Sequence, residues 1–397
     1  SLSVMEPLFR ANRAILAQMM LTVRFCQFDV VYWLSVLSLF VICVFVLGVV
    51  FVYLYLCICI CVIVFVHFQL NATILLLQQM GLLPTQGTCR KCAKSLGGEI
   101  QVEGTKRYWI CQDCHETKTY IRSGTVLENS PLRFDKFVNL IYSFANQNTT
   151  YKTNRKEAYL PVDGYVDNEL SDNTVNRWNK YFRWICSKDI KNRHRKIGGR
   201  SRIVEMDESL FGKMKFGKGN PDKPRRKWVF AGKCRETGRV FVAVCPKNKR
   251  TKRVLWPIIM KNVKLGSMLF TDGWRAYRKL PVLGFRHRWV DHSKYYVHPD
   301  DPILHTNGIE GKWGEIKRWL PSAGRYNLEQ HLNLYTWFLD QKIDKKDPFW
   351  SLIDLISKNN TREAFEASQN VIADVEGEAY TEDESNDDET DDENNTS

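Results

Sequence analysis

The sequence predicts an α/β core preceded by a small metal-held ribbon and a helical segment. Three observations point there. Two CxxC pairs stand close together near residue 100, apolar residues recur at helical spacing between residues 131 and 197, and from residue 203 short apolar strands carry acids at their ends. The composition, 44% apolar and 25% charged over 397 residues, excludes collagen-like and wholly disordered classes and leaves room for two or three domains. Charge is segregated: Lys and Arg number 57 against 44 acids, net +13. Twelve of those acids fall between Asp374 and Ser397, which hold no basic residue, so residues 1–373 carry +25. A body that basic suits a polyanionic partner, nucleic acid first.

Residues 1–80 are dominated by an apolar run. Val30 to Val66 is 37 residues without a formal charge, longer than the ~20 a helix needs to cross a bilayer. Within it, residues 53–61 alternate strictly, as translation of a dinucleotide repeat would. Two readings stand: a membrane segment, or an extension that is no part of the native protein. Residues 86–130 hold the ribbon. Cys89 and Cys92, then Cys111 and Cys114 after 18 intervening residues, form two knuckles that complete one tetrahedral, closed zinc site. Tyr108-Trp109-Ile110 reads as the strand entering the second knuckle, and His115 beside Cys114 reads as a surface histidine.

Residues 131–197 read as helical. Phe134 to Phe144 carries an apolar face, and Ser171 to Thr174 offers N-caps to an amphipathic run from Val175 to Ile185. A short helix bearing Asn176, Arg177, Asn179, Lys180 and Arg183 after a polar turn resembles the second helix of a helix-turn-helix, which makes these residues candidate DNA contacts or plain helix surface. The basic stretch from Lys188 to Arg202 reads as a linker.

Residues 200–345 form the core. Ile203 to Glu208, Trp228 to Gly232 and Arg239 to Cys245 read as three strands, the last two joined by a turn at Glu236-Thr237-Gly238. A helix over 251–263, a strand from Ser267 to Asp272, a helix opening at Gly273, a strand from Phe285 to Val290 and a helix over His305 to Arg318 follow. That order describes an RNase H-like fold. Asp207 and Asp272 end the first and fourth strands, so they sit side by side if those strands are neighbours. Paired carboxylates repel unless a hard cation such as Mg²⁺ or Mn²⁺ neutralises them, and a third acid on the following helix completes a two-metal site for phosphodiester chemistry. Glu310 is the best third acid. Lys317, two helical turns on along the same face with Arg318 beside it, is placed to meet a DNA phosphate. Residues 346–373 read as a C-terminal helix and 374–397 as a disordered acidic tail.

The stretch from Cys89 to Lys342 resembles DDE transposases of the Merlin superfamily and their bacterial insertion-sequence relatives. The resemblance lies in Val204-Glu-Met-Asp207-Glu208-Ser-Leu-Phe-Gly212, Thr271-Asp272-Gly-Trp274-Arg-Ala-Tyr277, Asp291-His292-Ser293-Lys294, and His305-Thr306-Asn307-Gly-Ile309-Glu310 through Trp313 to Lys317-Arg318. It implies a zinc ribbon and a DNA-binding helical segment before the core, with Asp207, Asp272 and Glu310 as the catalytic acids. The 37 residues between Asp272 and Glu310 are a spacing such families favour. Asn307 and Glu315 stay open as alternatives for the third ligand. The implied activity is cleavage at transposon ends and joining of the freed 3′-hydroxyl to target DNA, by a homodimer or higher oligomer in the nucleus. A domesticated or inactive DNA-binding descendant is the alternative. A membrane-anchored protein is a third reading, resting on residues 30–66 alone.

Overall fold

In the computed structural model the described residues are 72–103, 106–114, 117–147, 170–193, 195–212, 226–290, 299, 301–320 and 327–370. The chain divides into two units, Ser1–Ala72 and Thr73–Ser397, and the description below concerns the second. The apolar run of residues 30–66, His115, the motif from Asp291 to Lys294 and the acidic tail from Asp374 lie outside the described residues. Among the described residues no helix is long and apolar enough to cross a membrane.

The ribbon is built from paired hairpins. Strands β1 (Gly87–Thr88) and β2 (Ser95–Leu96) pair antiparallel around the first CxxC turn. Strands β3 (Gln101–Glu103), β4 (Lys106–Ile110) and β5 (Lys118–Tyr120) form a sheet whose β4–β5 turn carries the second. Trp109 on β4 is buried at the centre of this small module.

The core sheet has five strands, in the spatial order 286–290, 268–272, 203–211, 227–234 and 240–244. Strands β7 (Ile203–Phe211), β8 (Lys227–Cys234) and β9 (Val240–Val244) run antiparallel in sequence. Strands β11 (Met268–Asp272) and β12 (Arg286–Val290) then lie parallel to β7, beyond a short β6–β10 pair (Ile197–Gly198, Val263–Lys264). A meander followed by two parallel strands on its far side is the strand order of an RNase H-like core. Side chains alternate across the pleat, so β7 serves two faces. Val204 and Met206 pack with Leu255 and Ile259 of helix α3 (Lys252–Asn262) on one face. Phe211 packs with Ile309, Trp313 and Ile316 of helix α4 (Asn307–Trp319) on the other. Helix α5 (Leu328–Ile343) supplies Leu328, Leu332 and Tyr335 to that second layer.

Three expectations change here. Strand β7 runs on past Asp207 to Phe211, because β8 pairs with it continuously from Val204 to Phe211. Gly273 opens no α-helix: only 3₁₀ turns at Arg275–Tyr277 and Leu280–Leu283 follow β11. The basic stretch after Lys188 is no loose linker. Helix α2 (Asp172–Asn192) continues into it, Arg195 donates both guanidinium arms to Asp340 at 3.1 and 3.2 Å, and β6 joins β10.

Helix α1 (Phe134–Ala145) and α2 form a helical layer with the end of the chain. The single C-terminal helix expected over 346–373 is instead two, α6 (Pro348–Lys358) and α7 (Arg362–Gln369). Thr361 caps α7 by accepting the Ala364 N–H, which restarts the helix after the break. Trp178 on α2 meets Phe137 of α1 at 4.9 Å and Phe365 of α7 at 4.7 Å between ring centroids. Phe365→Ala is expected to cost about 3–5 kcal/mol, the usual range for truncating a buried phenylalanine, read from urea unfolding of the whole protein. A loss under ~1 kcal/mol would show that α7 does not hold the layer together.

His331, on the inner side of α5, has its pKa pulled down to about 3 by burial, helped by Arg183. The unfolded chain takes up this proton near 6.5 and the folded one does not, so stability is expected to fall as pH drops from 6.5 towards 3. His331→Gln should flatten that slope. An equal slope in wild type and variant, measured by denaturation at several pH values, would locate the acid sensitivity elsewhere.

Candidate active site

Sheet register brings the two aspartates together. Strands β7 and β11 pair Met268 with Ile203, Leu269 with Val204 and Phe270 with Glu205. The same offset carried two residues on sets Asp272 opposite Asp207. A carboxylate oxygen from each of Asp207, Glu208 and Asp272 lies within 4.8 Å of the other two. The third acid in this cluster is therefore Glu208, and Glu310 does not share it.

The reason is local. Glu208 points to the α3 face, where the Tyr277 hydroxyl donates to its carboxylate. Tyr277 is fully buried just after β11, so it draws Glu208 round the end of that strand towards Asp272. Glu310 sits exposed in the first turn of α4, where the Thr306 hydroxyl donates to it at 3.1 Å. Its charge still reaches the cluster and favours the protonated form of Asp207. Asn307 lies exposed at the start of the same turn. Glu315 is engaged elsewhere, accepting from Lys312 at 2.6 Å and from the Tyr335 hydroxyl at 2.7 Å.

Each carboxylate is held by its own donor. Asp207 accepts from Trp313 Nε1 at 2.9 Å and from the Glu208 backbone N–H at 2.8 Å. Asp272 accepts from the Trp274 backbone N–H at 3.1 Å. Burial pushes Asp207 up to about 6 and Glu208 up to about 8, although the donors pull the other way. Three half-buried acids this close favour a cation, and oxygen-only ligands suit a hard one such as Mg²⁺ or Mn²⁺.

Glu205 went unnoticed in the sequence and fixes the geometry of the site. It is 1% exposed on the α4 face of β7, salt-bridged to Arg235, and accepts the Ile309 N–H at 2.8 Å. This buried carboxylate anchors the N-terminus of α4 against the sheet, which aims Trp313 at Asp207. A Cβ at Gly308 would lie 2.5 Å from the Glu205 carboxylate, so only glycine permits this approach. An acid inside an apolar strand was the signal available.

The remaining site residues are spread out. Lys317 and Arg318 are exposed on α4, Lys317 with its ammonium 5.4 Å from the Phe211 ring. On α2, Arg177 is exposed and lies over Phe365, Asn176 and Lys180 are half-buried, and Arg183 sits beside His331. Residues 148–169, where a helix-turn-helix would turn, lie outside the described residues. What is described is α2 packed on α1, α5, α6 and α7.

Cys89, Cys92, Cys111 and Cys114 bring their sulfurs within 4.8 Å of one another as free thiols, with Cys92 and Cys111 3.6 Å apart. A tetrahedral ion at the ordinary Zn–S distance would set sulfurs roughly 3.8 Å apart. The Cys92 backbone N–H helps hold the Cys89 thiol down to about 6, while its hydrogen bond with Cys92 helps push Cys114 up to about 12. A dication would accommodate all four as thiolates.

Comparison with known proteins agrees with the core. Residues 197–339 match the ISXO2-like transposase domain. An uncharacterized transposase-like protein of Haemophilus influenzae (strain Rd) is 33% identical over 97 residues, which span 24% of this chain and 74% of that relative. This chain belongs to the ISXO2-like DDE transposases. Among solved structures, this chain is similar to the catalytic core domain of HTLV-2 integrase in complex with magnesium, with a TM-score of 0.24 and 16% identity over 36% of this chain and 86% of that one. The Mos1 strand transfer complex gives 0.22 and 15%, over 61% of this chain and 75% of that one. The fold of the transposase rests on its own strand order rather than on these scores.

Proposed function

We propose that this transposase binds transposon-end DNA, hydrolyses a phosphodiester to free a 3′-hydroxyl, and joins that hydroxyl to a phosphodiester of target DNA. The observation that carries the reading is the register of β7 and β11, which sets Asp207 against Asp272 with Glu208 alongside. These three would hold Mg²⁺ or Mn²⁺, with Glu310 completing the set from α4. A bound divalent cation supplies Lewis acidity towards phosphate oxygens and offsets the carboxylates' repulsion.

The chain's own contribution is orientation. Trp313 fixes the rotamer of Asp207, Tyr277 holds Glu208, and the Trp274 backbone holds Asp272. Glu205 sets α4 so that Glu310 and Lys317 approach from one side, Lys317 meeting a DNA phosphate. Zinc in the four-cysteine site would keep the ribbon folded with Arg90, Lys91 and Lys106 at its exposed surface. With Asn176, Arg177, Lys180 and Arg318 these give the DNA a basic path, and action on paired ends implies at least two copies of the chain.

The test is incubation of the purified full chain with duplex carrying the element's own terminal repeats and Mg²⁺. Cut ends and joined products are expected. Tight binding with neither product would make this chain a DNA-binding descendant rather than an enzyme.

A further inference from the structure

Beside the acid cluster an arginine is held between two tryptophans. The Arg250 guanidinium carbon lies 3.8 Å from the ring centroid of Trp228 and 4.8 Å from that of Trp274. Trp228 is the second residue of β8, and Trp274 follows Asp272 by two residues, its backbone N–H on the Asp272 carboxylate. The loop leading to Arg250 is pinned in place. Lys247 and Asn248 adopt left-handed φ of 51° and 55°, a conformation costly for residues with a Cβ. Asn248 repays part of that cost by accepting the Trp228 N–H at 2.7 Å and donating to the Arg226 carbonyl at 3.2 Å.

Among the described residues Arg250 makes no ion pair, although its charge is felt by Glu208. All three members of the stack are half-buried, and Lys249, Lys252 and Arg253 are exposed around it. Contact with two rings takes up none of the guanidinium's N–H donors, and their in-plane fork matches a phosphate oxygen pair. Held this way, the side chain has little rotamer entropy left to lose on binding.

We infer that the Trp228–Arg250–Trp274 stack is a phosphodiester clamp, gripping the DNA backbone of the strand that lies across the acid cluster. The inference rests on the DNA-processing reading above and adds to it a named anion site. The acids alone would repel a phosphodiester chain. A rigid guanidinium at their edge counters that repulsion at one phosphate and fixes where the strand lies.

Binding of the full chain to duplex carrying the terminal repeat, followed by fluorescence anisotropy over a range of salt in chelator-free buffer without added Mg²⁺ or Mn²⁺, tests this without any catalysis. Arg250→Gln is expected to lower the slope of log K against log salt by about 0.9, the contribution of one phosphate contact, with the thermal midpoint unchanged. Arg250→Lys keeps the charge but loses the fork and the stack, so the slope should hold while affinity drops about tenfold. Trp274→Leu should likewise weaken binding at constant slope. An unchanged slope in Arg250→Gln overturns the clamp and leaves the nuclease reading standing. So does an unchanged affinity in Arg250→Lys, which decides the matter if the glutamine variant does not fold. Failure of the unsubstituted chain to bind this DNA at any salt overturns both.

Discussion

Asp207→Asn and Asp272→Asn are each expected to lower Mg²⁺-dependent cleavage of terminal-repeat DNA by roughly 10³-fold or more, while DNA binding survives. Each change keeps the volume of the side chain and removes a negative charge where a hard cation needs one. Binding should hold or tighten, because one charge that repels the phosphodiester backbone has gone. The more discriminating pair is Glu208→Gln against Glu310→Gln. Glu208 shares the 4.8 Å cluster with both aspartates, whereas Glu310 stands one helical turn from Trp313 and reaches the cluster through its charge. Severe loss in both variants would make four carboxylates necessary. Loss in Glu310→Gln alone would return the third position to α4 and leave Glu208 a neutral partner of Tyr277. Full activity in all four variants would show that this core is no DDE nuclease.

The second large effect is expected from stripping or blocking metal at the four cysteines. Structural zinc contributes about 10–16 kcal/mol to the folding of small four-ligand modules, far more than a core of this size could replace. A strong chelator, or Cys111→Ser, is expected to unfold residues 86–121 and to weaken DNA binding. Metal analysis should find about one zinc per chain. Amide exchange followed along the sequence reads the result: strands β1 to β5 should lose protection while β7, β8 and β9 keep it. A zinc-free protein with those first strands still protected would sink the assignment.

The sequence was most informative where a local rule governs structure. The strands of the core, the α4 helix and the cysteine knuckles follow from apolar alternation, turn residues and ligand spacing, and each lies within a few residues of its expected place. The pairing of Asp207 with Asp272 was legible because each aspartate is the fifth residue of its strand, behind a largely apolar run. Glu208 was not, since its place depends on Tyr277, a residue 69 positions away whose burial is a tertiary outcome. Glu205 looked like one more acid until its carboxylate met the Ile309 N–H across the fold. The Arg250 stack had the same difficulty: nothing about Trp228 or Trp274 in sequence indicates that one guanidinium separates them. The two C-terminal helices were read as one because the cap at Thr361 interrupts a run whose composition scarcely changes.

The closing helices are tied to residues on either side of the ribbon. Asn360 accepts the Val126 N–H at 3.0 Å and donates to the Gly81 and Leu82 carbonyls, and Arg362 reaches the Glu128 carbonyl at 3.1 Å. During synthesis, Trp178 and Tyr181 therefore leave the ribosome roughly 10–40 s before Phe365, the ring that covers them, exists. For that interval their apolar face is uncovered and open to wrong partners. A stop codon after Ile343 would spare Asp207, Glu208, Asp272, Glu310 and the four ribbon cysteines, yet leave that face permanently bare. A gene of this kind can thus be disabled from its 3′ end with the acid cluster and the cysteine knuckles still intact in its sequence.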